Sequence, residues 1–203
     1  MTAKNVSTEE NILNVAREVF MRNGYSGTTM QRIADEAGIN KSLLHYYYRS
    51  KEKLFGQIFA EVFSQFIPEL GKIFMTDMSL EEKIRAFVDS YIEGFIRNPL
   101  IPIFVMQELS TNPQNLADLI RKSGIDPEMV IRTIMESLKK EDLNIQDPKQ
   151  FMVNMIGLCV FPFAAQPLIQ RLIFNNDEKA YSKFLLERKH EVSEFLLNAI
   201  RKG

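Results

Sequence analysis

Apolar residues recur along nearly the whole chain at three- and four-residue spacing, and no stretch alternates as a half-buried strand would. The pattern predicts an all-α fold. A first helix opens at Ser7 with Glu10 as its capping partner, carries Ile12, Val15, Ala16, Val19 and Phe20 on one stripe, and stops at Asn23-Gly24. Thr28 is placed to cap a second helix, with Gln31 answering three residues later. Met30, Ile33, Ala34 and Ala37 form its apolar face, and Gly38 stands where a left-handed residue ends a helix at low cost. Asn40 caps a third helix, and Ile39 before it can staple onto Leu44. Leu44 and Tyr48 share the inward face, which turns Lys41, Ser42, His45 and Arg49 outward. Two short helices joined by a glycine turn, the second basic, aromatic and free of carboxylates, have the layout of a helix-turn-helix.

Downstream, Ser50 caps a fourth helix through Leu54, Ile58, Val62 and Phe66, which Pro68 is expected to bend or end. Ser79 with Glu82 opens a fifth, whose face is Ile84, Phe87, Val88, Tyr91, Ile92 and Phe95, and Asn98-Pro99 stops it. Pro102 and Pro113 divide residues 100–125 into two short helices. Asp126-Pro127 and Asp147-Pro148 are two further starts, each a capping aspartate with proline at the first helical position. The second launches the most apolar part of the chain, read as one helix over 151–174 that needs cover on more than one side. The last helix, 177–201, puts Tyr181, Phe184, Leu185, Val192, Phe195, Leu196 and Ala199 on one face. With no repeat and no low-complexity linker, the domain boundary falls inside the fourth helix near residues 50–56, giving domains 1–53 and 54–203.

Charge changes this picture only locally. The 203 residues carry a formal net charge of -1, so the whole chain is no polycation. Residues 1–56 nevertheless hold eight Lys/Arg against six Asp/Glu, leaving 17 bases against 20 acids elsewhere. A mildly basic head on an acidic body suits one local contact with a polyanion. The single cysteine, Cys159, excludes a disulfide framework and a cysteine-based metal cluster, and His45 and His190 are far apart, so no metal site is expected. No nucleophile–base pair or phosphate-cradling glycine loop is present, so neither catalysis nor a cofactor is expected. The N-terminus MTAKNVSTEEN lacks the apolar core of a signal peptide. The longest apolar run, from Ile156 to Ala165, is too short to span a bilayer and contains Pro162. A cytoplasmic location without membrane contact is the expectation.

The segment AREVFMRNGYSGTTMQRIADEAGINKSLLHYYYRSKEKLF resembles the N-terminal domain of the tetracycline-repressor (TetR/AcrR-like) family of bacterial transcriptional regulators. The resemblance rests on Gly24-Tyr25, Thr28-Thr29, Ile33-Ala34, Ala37-Gly38, Asn40, Lys41, His45-Tyr46-Tyr47 and Ser50-Lys51-Glu52. Many relatives have Tyr-Tyr-His-Phe where this chain has His45-Tyr46-Tyr47-Tyr48, and Gly where it has Ser42. The resemblance implies a helix-turn-helix DNA-binding domain followed by an all-α ligand-binding and dimerisation domain, acting on a pseudo-palindromic operator in double-stranded DNA.

Roles follow from the resemblance and the chemistry together. Thr28 and Thr29 at a helix N-terminus suit a phosphate. Lys41, Ser42, Leu43 and His45 are placed to face base edges, Leu43 against a thymine methyl. Tyr46 and Tyr47 can donate hydroxyls to phosphates, Lys51 is expected to clamp the DNA backbone, and Tyr48 belongs to the core. The methionines and phenylalanines of residues 87–174 are mostly core. Part of them is expected to line a cavity for a small apolar or amphipathic effector, with Phe87, Tyr91, Phe95, Phe104, Met129, Met152, Met155 and Cys159 as candidates. A homodimer through the last two helices, about 148–174 and 177–201, is expected to release the operator when the effector binds. The alternatives are a DNA-binding regulator without an effector, or an all-helical enzyme.

Overall fold

The computed structural model describes residues 7–111, 113–123, 126–141, 143 and 147–201, and every regular element among them is a helix. An N-terminal helix-turn-helix domain is built on α1 (Thr8–Gly27), α2 (Met30–Glu36) and α3 (Lys41–Tyr47). The long α4 (Lys51–Phe74) carries the chain into a C-terminal helical domain. That domain comprises α5 (Leu80–Arg97), α6 (Leu100–Thr111), α7 (Pro113–Lys122), α8 (Pro127–Lys140), α9 (Pro148–Ala164), α10 (Gln166–Ile173) and α11 (Glu178–Ile200).

The caps set most boundaries. Ser7 accepts from the Glu10 amide, Asn40 from Leu43 and Ser50 from Lys53. Ser79 and Glu82 form a reciprocal capping box, and Asp126 and Asp147 accept amides in the first turns of α8 and α9. Gly38, at φ +68, ends α2 with Ile39 N–H bonded to the Ala34 carbonyl and Gly38 N–H to that of Asp35. These two bonds are the Schellman arrangement that a left-handed residue permits. The second cap differs from expectation by one residue. Thr29, not Thr28, caps α2, its Oγ1 accepting from Arg32 N–H at 3.2 Å. Thr28 is 1% exposed and donates its hydroxyl to the Gly24 carbonyl at 2.7 Å. That carbonyl needs a new donor because the backbone leaves the helix at Gly24.

Pro68 does not end α4, which continues to Phe74. Ile58 and Phe66 are buried as expected on its inner face, while the side chain of Val62 lies outside the described ones. Gly94 of α5 lets the two helices close on each other, since a Cβ there would fall inside the ring of Phe66. Helices α5 and α11 run antiparallel. Glu81 pairs with Arg201, Arg85 with Glu194, and Asp89 and Glu93 with Lys189. These exposed pairs fix orientation more than they add stability. Ile84, Val88, Ile92, Val192, Leu196 and Ile200 are among the buried residues of these two helices.

Two expectations for the apolar C-terminal part are corrected. The stretch 151–174 is two helices, not one. Ala165 leaves helical geometry at φ −98, ψ 15, and the axes of α9 and α10 diverge by 69°. Pro167 explains the break, because its ring would collide with the Phe163 carbonyl and it has no N–H to continue the ladder. Pro162, in contrast, is accommodated inside α9. Its missing N–H frees the Leu158 carbonyl, and Arg188 Nη2 of α11 donates to that oxygen at 2.9 Å. The Pro162 carbonyl accepts the Tyr181 hydroxyl at 2.6 Å.

The predicted single face of α11 is also divided. Tyr181, Leu185, Val192 and Leu196 point inward, but Phe195 is 64% exposed. Ser193, Leu197 and Ile200 become the buried residues towards the C-terminus, which rotates Phe195 and Ala199 to the outside. No single described helix is long and apolar enough to cross a membrane.

Candidate nucleic-acid interface

Helix α3 is held from beneath and open above. Leu44 is fully buried and Tyr48 nearly so, anchoring both turns of the helix to the N-terminal core. The Tyr48 hydroxyl donates to Glu9 at 3.3 Å, and burial together with that carboxylate pushes its pKa up to about 12. Lys41, Ser42, His45, Tyr46 and Tyr47 are exposed, Tyr46 at 80%, and Leu43 is half-buried at their edge. The Tyr46 and Tyr47 rings meet edge to face with centroids 5.6 Å apart. No carboxylate lies on α3. The two acids of α2 are engaged beside it, Glu36 with Arg22 and Asp35 with Gln31.

His45 is oriented by a backbone carbonyl. Its Nδ1 lies 3.2 Å from the Arg49 carbonyl, which can only accept, so Nδ1 carries the proton. Whenever the ring is neutral, the outward Nε2 is then an acceptor, suited to the exocyclic amine of adenine or cytosine in a major groove. Lys41 and Ser42 on the first turn can supply donors to guanine or phosphate. The face therefore offers donors, acceptors and an apolar edge within two helical turns.

Three of the expected contacts are placed differently from one another. Thr29 is exposed at the start of α2, beside the amides of Met30 and Gln31, which suits a phosphate. Thr28 cannot serve through its side chain, which is buried and committed to Gly24. Lys51 is not a free clamp either. Its ammonium donates to the Tyr25 carbonyl at 3.0 Å and the Thr28 carbonyl at 3.1 Å, and stands 4.2 Å from the centre of the Tyr25 ring. One of its three N–H groups remains for a phosphate.

Tyr25, at the end of the first helix, joins α1 to α4. Its hydroxyl donates to Glu52 at 2.9 Å, its ring lies 4.9 Å from that of Phe55, and burial raises its pKa. Phe55 and Phe59 then meet Phe104 of α6, the latter pair stacked at 3.5 Å. A chain of rings thus joins the reading head to the C-terminal domain.

The effector candidates divide. Phe87, Tyr91 and Phe95 form one wall on α5, with Phe66 against Tyr91 and Phe95. Met155 and Cys159 are buried on the inner face of α9, and Tyr91 and Cys159 are close enough to act on each other electrostatically. Burial pushes the Cys159 thiol up to about 12. Met129 and Met152 are half-buried on α8 and α9. Phe104 stands apart, about two turns of α4 from this wall, stacked on Phe59. Two open surface clefts lie elsewhere, one beside Arg121 and Asp126 and one between α1 and α4 at Arg17 and Glu61. Tyr91 itself keeps accessible surface although burial raises its hydroxyl above the ordinary value.

Comparison with known proteins agrees with this geometry. Residues 12–58 match the family described as bacterial regulatory proteins, tetR family. The chain is 30% identical over 148 residues to the HTH-type transcriptional regulator RutR of Escherichia coli, covering 71% of this chain and 68% of RutR. It is 29% identical over 92 residues to the HTH-type transcriptional repressor NicS of Pseudomonas putida, a match that spans 45% of this chain and only 43% of NicS. The fold is similar to that of the transcriptional regulator FadR of Bacillus subtilis, solved in complex with stearoyl-CoA. The TM-score is 0.64 at 17% identity, over 94% of this chain and 98% of that one. On the sequence of its reading head, the arrangement of its helices and its likeness to RutR, the chain belongs to the TetR family of bacterial regulatory proteins.

Proposed function

We propose that the protein is a cytoplasmic transcriptional repressor that binds a pseudo-palindromic operator as a homodimer and releases it when a small apolar or amphipathic effector binds. The observation that carries this reading is the outward face of α3, which is exposed, free of carboxylates and anchored by Leu44 and Tyr48. Lys41, Ser42, Leu43 and His45 would read bases, while Thr29, Tyr46, Tyr47 and the spare N–H of Lys51 would hold phosphates. A two-fold pair of such heads fits half-sites about 34–36 Å apart, one turn of DNA.

Support for the dimer comes from the exposed apolar residues of the last helices. Val153 and Phe161 on α9 and Leu186 and Phe195 on α11 are between 55% and 64% exposed. Such a surface is costly to leave in water and suits a second copy. The effector would lodge between α5 and α9, beside Tyr91 and Cys159. It shifts the dimer only by its differential affinity for a form whose reading heads are wrongly spaced. A coupling of about 1–3 kcal/mol is typical of such linkage. FadR's complex with an acyl-CoA is in keeping with an amphipathic effector. We place the domain boundary at residues 53/54, in the first turn of α4.

Selection of bound duplexes from a randomised pool tests the reading. The expected product is a two-fold symmetric consensus occupied by two chains per duplex. Recovery of no consensus, at low salt as well as at physiological salt, would overturn it.

A further inference from the structure

His45 and His190 are the two histidines of the chain, and of the two only His45 lies on the reading face. Half of its ring is committed. Nδ1 stands 3.2 Å from the Arg49 carbonyl, which accepts and cannot donate, so Nδ1–H is kept whether the ring is neutral or charged. Nε2 is therefore the atom that changes. In the neutral ring it is an acceptor, and in the imidazolium it is a donor carrying positive charge. Lys41, Ser42 and Leu43, the other side chains placed to face bases, do not exchange acceptor for donor between mildly acidic and mildly alkaline pH.

The protein offers the charged ring no anion. Lys41 lies one turn before His45 and Arg49 one turn after, both of them exposed cations, and the hydroxyls of Tyr46 and Tyr47 are the other titratable groups of α3 that face outward. Helix α2 packs against α3 and carries Arg32, Asp35 and Glu36. Arg32 is bonded to Asn23, Asp35 to Gln31 and Glu36 to Arg22. The first turn of α4 brings Lys51, Glu52 and Lys53. The Lys51 ammonium is held by the Tyr25 and Thr28 carbonyls, and Glu52 accepts the Tyr25 hydroxyl. From α1, Glu9 accepts the hydroxyl of Tyr48 on the buried side of the motif. Among the described residues no carboxylate bonds to His45, so the outward edge of its ring is left for DNA.

A major groove presents both kinds of partner. Adenine N6 and cytosine N4 are donors for a neutral Nε2, whereas guanine N7 and O6 are adjacent acceptors for a charged Nε2–H. Adenine N7 is an acceptor too, but it adjoins the N6 donor, which faces a cation unfavourably. We propose that His45 chooses its base by protonation state: the neutral ring selects adenine or cytosine, the charged ring selects guanine, and operator preference at that position depends on pH. The inference rests on the DNA-reading face proposed above and names the base edges that one residue of it takes. Linkage gives the converse, that binding to guanine takes up a proton at Nε2 while binding to adenine or cytosine excludes one.

The test uses the duplex recovered by selection, prepared with each of the four bases at the position whose preference His45→Ala flattens. Its affinity for the full-length protein is measured at about pH 5.5 and about pH 8, either side of the interval in which imidazoles ordinarily change charge. The ratio between duplexes is the readout, because an added cation strengthens phosphate attraction for all of them alike. The preference for guanine over adenine or cytosine should rise about tenfold on acidification, as fits a hydrogen bond to a charged group. His45→Gln, whose amide keeps a donor and an acceptor at every pH, should favour adenine under both conditions. His190→Gln, altered on α11, should behave as the wild type. A ratio that does not move with pH, at a position that His45→Ala still flattens, would overturn the protonation switch and leave the reading face standing. A shift that persists in His45→Gln would overturn it as well, by assigning the titration to another group. If His45→Ala flattens no position, the base-reading role of His45 falls and this inference falls with it.

Discussion

Lys51 shows how one side chain can serve the interface without reading it. Its two bonds, to the carbonyls of Tyr25 and Thr28, tie the first turn of α4 to the end of α1 and the approach to α2. Lys51→Met should therefore destabilise the protein by about 1.5–3 kcal/mol, the range for hydrogen bonds to a charged group. It should also weaken every DNA sequence alike. Denaturant titration beside DNA binding separates the two effects, and a variant of wild-type stability would return Lys51 to a pure phosphate contact. Three buried acidic groups give a second expectation. Burial raises the Tyr48, Tyr181 and Cys159 pKa values to about 12, from 10.0 for the tyrosines and 9.0 for the thiol. A raised folded-state value means the native form holds the proton longer, so this stability is complete below the unfolded value and lost as pH rises towards the folded one. The melting temperature should be level from neutral pH to about 9 and fall steeply between about 10 and 12. A level profile through that window would contradict the burial of these groups. At this scale, what is local was legible. Gly38 and Asn40 act within four residues of themselves, so sequence placed them correctly. The one-residue shift from Thr28 to Thr29 depends on where α1 breaks, and the partners of Lys51 lie 26 and 23 residues away, so neither could be read from spacing.

Among the elements, α9 carries the least expected arrangement. Between Phe151 and Phe174 the polar residues Asn154, Gln166, Gln170 and Arg171 are all compatible with a continuous helix, and Pro162 and Pro167 are the strongest break signals. Sequence cannot say which proline bends a helix and which is absorbed, because that depends on a donor supplied from elsewhere. Here the donor is Arg188, which reaches the Leu158 carbonyl from α11, thirty positions along the chain. A double-mutant cycle follows. Arg188→Met alone leaves that carbonyl unsatisfied and should cost about 1–3 kcal/mol. Pro162→Ala restores an N–H to the helix ladder, so Arg188→Met in that background should cost much less. Equal costs in the two backgrounds, measured by urea unfolding, would mean that Arg188 does not act through the Leu158 carbonyl.

For the whole molecule, the helical periodicity identified the class of fold, but it did not distinguish a face buried within the chain from one left for a partner. Both are apolar at helical spacing, and Leu196 and Phe195 are neighbours with opposite fates, 1% and 64% exposed. Replacing both would confound unfolding with dissociation. Phe161→Glu with Phe195→Glu changes only exposed positions, at 62% and 64%. The double variant should keep its helicity and cooperative melting while becoming monomeric by light scattering at micromolar concentration, and it should lose operator binding. A variant that stays dimeric would place the interface elsewhere.

Operator recognition, as proposed, rests on the outward face of α3. The most direct measurement is the affinity of the wild type and of Ser42→Ala, His45→Ala and Tyr46→Phe for the selected operator and for the same duplex with each base pair exchanged in turn. Ser42→Ala and His45→Ala should flatten the preference at one or two adjacent positions in each half-site, each costing about 1–3 kcal/mol on the preferred sequence if the lost contact is bidentate. Tyr46→Phe should weaken all duplexes by a similar factor and leave the preference intact. If Ser42→Ala and His45→Ala leave every base preference unchanged while Tyr46→Phe alters it, α3 does not present this face to the bases.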